Sequence, residues 1–154
     1  MKKRCFFIGH RDAPESICPA LCDAVEQHIV EYGVTEFMIG NYGSFDHMAC
    51  RVVAQMKESY PQIRLTLLLA YPPVKMNKPS GVDELYYPEG LEATPRRYAI
   101  VRANQKAVDL CDYLIAYVWQ IASSAQKLLE DAQGRLQITS LRRSFLLYQK
   151  RIIR

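Results

Sequence analysis

The chain has 154 residues, about half of them apolar, enough to bury the core of one domain. The formal net charge is only +4, and Arg142, Arg143, Lys150, Arg151 and Arg154 crowd into the last fifteen residues without an acidic neighbour. The remainder is therefore close to neutral, which argues against a broad basic surface for nucleic acid, and no apolar run approaches the roughly 20 residues that a membrane-spanning helix needs.

Cys5-Phe6-Phe7-Ile8 reads as a first strand that stops at Gly9-His10-Arg11. Asp12 and Pro14 then open a helix in which Ile17, Leu21, Val25, Ile29 and Tyr32 recur at a helical period until Gly33 caps it. A second unit repeats the pattern. Strand Glu36 to Ile39 stops at Gly40-Asn41-Tyr42-Gly43, and a helix from about Phe45 to Tyr60, with Ala49, Val52, Val53 and Met56 inward, ends before Pro61. The nearly continuous apolar run Ile63 to Ala70 predicts a strand covered on both faces, near the sheet centre.

Tyr71-Pro72-Pro73 opens an excursion of about twenty residues, up to Leu91, that carries no periodicity and reads either as a ligand lid or as a tolerated surface insertion. Thr94-Pro95 starts a helix running to about Leu110, whose Arg96, Arg97, Arg102 and Asn104 give it a cationic face. Asp112 to Val118 is a fourth buried strand, Ser123 to Ala132 a helix, and Leu136 to Thr139 a weak last strand. Strands alternating with helices imply an α/β, Rossmann-like three-layer sandwich on a mainly parallel sheet of about five strands. Residues 1–140 form this domain. In 141–154 the stripe Leu141, Phe145, Tyr148 and Ile152 predicts a basic amphipathic helix packed on the domain, with nucleic acid or an anionic membrane as the rarer partner.

The opening Met1-Lys2-Lys3-Arg4 leads into too short an apolar run for a secretory signal, so a cytoplasmic location with reduced thiols is expected for the five cysteines. Cys18 and Cys22 stand four apart and have His28 downstream, but they lack the paired spacing of zinc sites; buried or half-buried thiols are expected, and no metal.

Each of the two glycine junctions is an apolar run ending where backbone can approach a ligand and where the next helix offers free N–H groups and the positive end of its dipole. Polar residues gather at the same ends: His10 and Arg11 at the first, Asn41, Ser44 and Asp46 at the second. That placement suits a phosphate-bearing ligand in the crevice at the carboxyl ends of parallel strands. For catalysis Asp46 would be the acid or base, Arg11 the cation for developing charge, and His10 a titratable neighbour. Structural roles compete with these: Asp46 as a helix cap, Arg11 in a surface ion pair, His10 bonded to a loop carbonyl. No nucleophile–base pair or Walker lysine is visible.

Taken together, Cys5-Phe-Phe-Ile-Gly-His-Arg11, Gly40-Asn-Tyr-Gly-Ser-Phe-Asp46, Leu67-Leu-Leu-Ala-Tyr-Pro72 and Asp112-Tyr-Leu-Ile-Ala-Tyr-Val118 resemble the SLOG superfamily of Rossmann-like proteins, in the branch of small bacterial proteins typified by YpsA. The resemblance implies a nucleotide or nucleotide-derived ligand and relatives that include phosphoribohydrolases, the DNA-uptake protein DprA and sensors of NAD-derived signals. It puts Gly9, Arg11, Gly40, Gly43, Phe45 and Asp46 in the ligand site. Of the Arg-Asn pair usual before the fourth strand, Asn104 matches, while Arg102 is displaced by one residue, about 100° around the helix. After Val118 the branch's Gly-Gly loop is replaced by Trp119-Gln-Ile-Ala-Ser-Ser, leaving Ser123 and Ser124 to face an anion. The catalytic Glu of the hydrolase relatives is also missing, the nearest acid being Glu130. The expectation is a ligand-binding sensor or regulatory module that is not an enzyme by that mechanism. No cofactor is identified beyond the nucleotide-like ligand. N-glycosidic bond hydrolysis and DprA-like nucleic-acid binding are the alternatives, and homo-oligomerisation is left open.

Overall fold

The computed structural model describes residues 2–73, 78–119 and 123–142. Within them lie strands β1 (Arg4–Gly9), β2 (Glu36–Ile39), β3 (Arg64–Leu68), β4 (Glu84–Tyr86), β5 (Tyr113–Tyr117) and β6 (Gln137–Ser140), and helices α1 (Cys18–Val30), α2 (Ser44–Ser59), α3 (Ala99–Leu110) and α4 (Ser124–Ala132). The strands form one sheet in the order β4-β3-β2-β1-β5-β6, and every pairing is parallel. Cys5 pairs with Phe37 on one side and Tyr113 on the other, and Gly9 lies opposite Tyr117 at the carboxyl end. This is the α/β sandwich that the alternating elements predict, with one more strand.

Alternation along β1 sets the layers. Cys5 and Phe7 join a core with Leu21 and Val25 of α1 and Ala49, Val52 and Val53 of α2, whereas Phe6 and Ile8 point the other way, into a core with Ala103 and Ala107 of α3 and Leu128 and Ala132 of α4. The apolar faces read from the helical period are therefore the ones buried. At the end of α1 the chain reverses through Gly33 at φ 71°, and the Val34 N–H returns to the His28 carbonyl at 2.9 Å.

The excursion after β3 contains β4, the strand beyond the five expected. Its three residues are too few for a periodic signal, and the anchoring is long-range: Asp83 Oδ2 accepts from the Leu65 N–H at 2.9 Å and from Lys57 Nζ at 2.6 Å, and Lys57 also donates to the Gly81 carbonyl. Strand β3 accordingly sits one place in from the edge, with β1 and β2 nearer the centre. The helix expected from Thr94 begins later, because Arg96–Tyr98 is a 3-10 turn that leads into α3.

Leu141 is fully buried in the core beneath α1 and α2, directly after β6. Phe145, Tyr148 and Ile152 of the expected tail helix, and Gln120 to Ala122 of the loop after β5, lie outside the described residues. Among the described residues no helix is long and apolar enough to cross a membrane.

Candidate functional site

Chain order turns back at β1: β2, β3 and β4 extend the sheet on one side, and β5 returns to the other. In an open parallel sheet such a reversal leaves a crevice outside the carboxyl ends of the strands, because the loops on its two sides leave in opposite directions. A cavity of about 360 Å³ lies there. Gly9, His10, Arg11 and Asp12 supply its β1 side, Gly40, Tyr42 and Asp46 its β2 side, Ile100, Val101 and Asn104 the α3 wall, and Ser123, Ser124, Ala125 and Leu128 the start of α4.

The two glycine junctions meet the cavity as one unit. The Ser44 N–H donates to the Arg11 carbonyl at 2.9 Å and the Ser44 hydroxyl to the Ala13 carbonyl at 2.6 Å, so the loop after β2 is pinned on the loop after β1. Close approach between them explains the glycines. A methyl group on Gly9 would lie 2.3 Å from the Phe45 ring, one on Gly43 2.7 Å from the Arg11 Cα, and one on Gly40 2.9 Å from the Asp46 carboxylate. The left-handed glycines are Gly33, Gly81, Gly90 and Gly134, none of them at the junctions. At all three positions the glycine makes room for protein groups that shape the cavity.

Asp46 lies in the first turn of α2, where the sequence suggests a cap, but its Oδ2 accepts from the Tyr42 N–H at 3.1 Å, just before the helix. Burial pushes its carboxyl up to about 6, against the lowering pull of that N–H and of the nearby His47 and Arg11. Tyr42 carries no local sequence signal for this role. Its phenol oxygen accepts from the Ala70 N–H beyond β3 at 2.8 Å and its ring meets Tyr71 edge-on at 5.9 Å, long-range contacts that no local pattern reveals.

His10 serves the neighbouring loop. Its Nε2 accepts from the Trp119 N–H at 2.9 Å, and its ring stands edge-on to the indole at 5.3 Å, which ties the chain leaving β1 to the chain leaving β5. The bond requires an unprotonated Nε2, and burial lowers the His10 pKa while Asp12 opposes the shift. A lowered folded pKa means that this contribution is fully present above about 6.5 and is lost as pH falls. Trp119 is the sole tryptophan. Its fluorescence is expected to titrate with a midpoint below about 6.5, and His10→Phe is expected to abolish that titration; a titration unchanged in the variant would refute the contact.

At the α4 end, Ser123 caps the helix, its hydroxyl accepting from the Gln126 N–H at 3.0 Å, and exposed Ser124 begins it, so the positive end of the α4 dipole faces the cavity. Exposed Arg11 lines the cavity and enters none of the ion pairs among the described residues. Asn104 lines it from α3, one helical step from Ile100, a spacing from which Ile100 is legible in the sequence.

The other expected residues fall elsewhere. Arg102 is exposed beside Thr94, Tyr98 and Gln105 in a separate hollow, as its displacement around the helix dictates. Asn41 lines a hollow with His47, Cys50 and Arg51. Gly43 and Phe45 act by packing, and Ser44 by pinning the loops. Among the described residues no three His, Cys, Asp or Glu side chains gather as metal ligands.

An all-parallel three-layer sandwich with its cavity at the strand-order reversal defines the chain as a Rossmann-like α/β protein. The X-ray structure of DNA processing protein A (DprA) from Streptococcus pneumoniae has the same fold, with a TM-score of 0.67 over 90% of this chain at 13% identity. The chain spans about half the length of that neighbour, 50% of it. No family model and no curated protein matches the chain.

Proposed function

We propose that the cavity binds a nucleotide or nucleotide-derived small molecule, and that the protein is a sensor or regulatory module of the YpsA-like SLOG branch. The observation that carries this reading is the convergence at one strand-order reversal of an exposed arginine, a helix N-terminus and a shielded carboxylate: Arg11, the Ser123–Ser124 start of α4, and Asp46. The first two suit an anionic group; the carboxylate suits hydroxyl or amino donors of the same ligand.

Two other readings have support of their own. A carboxyl pushed up to about 6 is poised for proton transfer near neutrality, which favours N-glycosidic bond hydrolysis at Asp46; Glu130 is exposed and does not line the cavity. Nucleic-acid binding draws on the name of the structural neighbour, a DNA processing protein, and on exposed Arg96, Arg97 and Arg102 beside exposed Tyr98.

A thermal-shift screen with AMP, cyclic nucleotides, NAD and ADP-ribose decides among them. Ligand at 100 times its Kd adds about 2.7 kcal/mol, roughly 5–11 °C for a chain of this length. The expected result is a shift that Arg11→Ala reduces without lowering the midpoint of the free protein, with the ligand recovered intact. Release of free base would establish the hydrolase. No shift, together with steeply salt-dependent binding of single-stranded DNA, would establish the nucleic-acid reading.

A further inference from the structure

Cys18 is the first residue of α1 and Cys22 lies one turn on, so both thiols emerge on the same face of the helix. Both are half-buried, unlike Cys5 and Cys111, which are buried in the two cores. Burial and the neighbouring Cys18 thiol push the Cys22 thiol up. Arg51 of α2 pairs with Glu15, just before α1, at 2.9 Å.

Two helical residues four apart hold their Cβ atoms about 5–6 Å apart. A disulfide requires about 3.5–4.5 Å, so direct S–S closure would unwind the first turn of α1. A single atom bonded to both sulfurs has no such requirement, because it lies between them. Among the described residues no further His, Cys, Asp or Glu joins the pair to complete a tetrahedral zinc set.

We infer that Cys18 and Cys22 form a bidentate dithiol site for a trivalent, thiophilic centre such as an organoarsenical. With a monosubstituted arsenoxide the two S–H bonds and the As=O bond break, two As–S bonds form, and both thiol protons leave with the oxygen as one water. Arsenic stays trivalent, so no oxidant or reductant takes part. The site lies on α1, apart from the proposed ligand cavity, and stands or falls independently of it.

The test is titration of the full-length, reduced protein with phenylarsine oxide, read by intact mass. The expected product is one adduct that survives millimolar glutathione and is removed by dimercaptopropanol. Cys18→Ser and Cys22→Ser should each weaken capture on the order of 10²–10⁴-fold, since the second thiol acts at high effective concentration. Cys50→Ser should leave capture unchanged. An adduct that glutathione strips, or one that persists in either of the first two variants, would overturn the site. So would a Cys18–Cys22 disulfide closed by diamide, which takes one hydrogen from each thiol, with helicity retained; that measurement on the unaltered chain stands whether or not the serine variants fold.

Discussion

Gly9→Ala is expected to destabilise the protein by about 3 kcal/mol, the upper end of what one extra methyl group costs in a packed site. The added carbon would lie 2.3 Å from the Phe45 ring, and a real Cβ contact begins near 3.4 Å, so the ring must retreat by about an ångström. It has little room. Phe45 is 1% exposed and stacks against Tyr117 at 6.4 Å, and Tyr117 is the residue paired with Gly9 across β1 and β5. Moving the ring therefore disturbs the strand end that carries His10 and Arg11 as well as the first turn of α2. For a chain of this length the loss corresponds to a midpoint lower by roughly 6–12 °C. A double-mutant cycle isolates the cause: Phe45→Leu costs stability in the parent, but the shorter side chain vacates the space beside residue 9, so the double variant should be more stable than the sum of the single losses by about 1–2 kcal/mol. Strict additivity would show that Gly9 is required for another reason.

How legible the molecule is from sequence follows from the range of the interactions involved. Strand β1 and helices α1 and α2 are written in contiguous periodic patterns, since Leu21, Val25 and Ile29 must share a face whatever surrounds them. Strand β4 is not, because Glu84–Tyr86 pairs only where Asp83 and Lys57 bring it beside β3. The same division runs through the site. Gly9, Arg11, Gly40 and Asp46 can be found from strand ends, yet their partners cannot: Phe45 against Gly9, Asp46 against Gly40 and Trp119 on His10 are contacts between residues that only the fold makes neighbours. Tyr42 is the instructive omission. Read locally it is a spacer between two glycines; in three dimensions its phenol oxygen is bonded to the backbone beyond β3 and its N–H to the carboxylate of the cavity. Arg102 is the converse case, a charged residue close in sequence to the cavity wall that helical geometry turns away from it.

Asp46→Asn is expected to stabilise the protein at neutral pH, and the sign of that effect bears on why the carboxylate is there. The folded state raises the Asp46 pKa from 3.8 to about 6, so it binds the proton more tightly than the unfolded chain does. Stability from this group is then complete below the unfolded value, declines as pH rises through the folded one, and is gone at pH 7.5; a shift of about two units corresponds to roughly 3 kcal/mol. Asparagine avoids that loss, because its amide oxygen can still accept from the Tyr42 N–H and nothing has to ionise. The variant should therefore exceed the parent by about 2–3 kcal/mol at pH 7.5, with the difference shrinking to near zero by about pH 3.5. His10 and His28, both lowered by burial, slope the opposite way, lending stability that is lost as pH falls below about 6.5. They are common to parent and variant, so the difference between the two curves isolates Asp46. A variant no more stable at pH 7.5 would show that the carboxylate is better solvated than its position implies. On the function proposed above, the expected gain has a consequence: a side chain that weakens the fold at neutral pH, with a glycine opposite it and a cavity before it, would be kept for a ligand. The stabilised variant should accordingly bind the responding nucleotide at least tenfold more weakly, and retained affinity would confine Asp46 to a structural role.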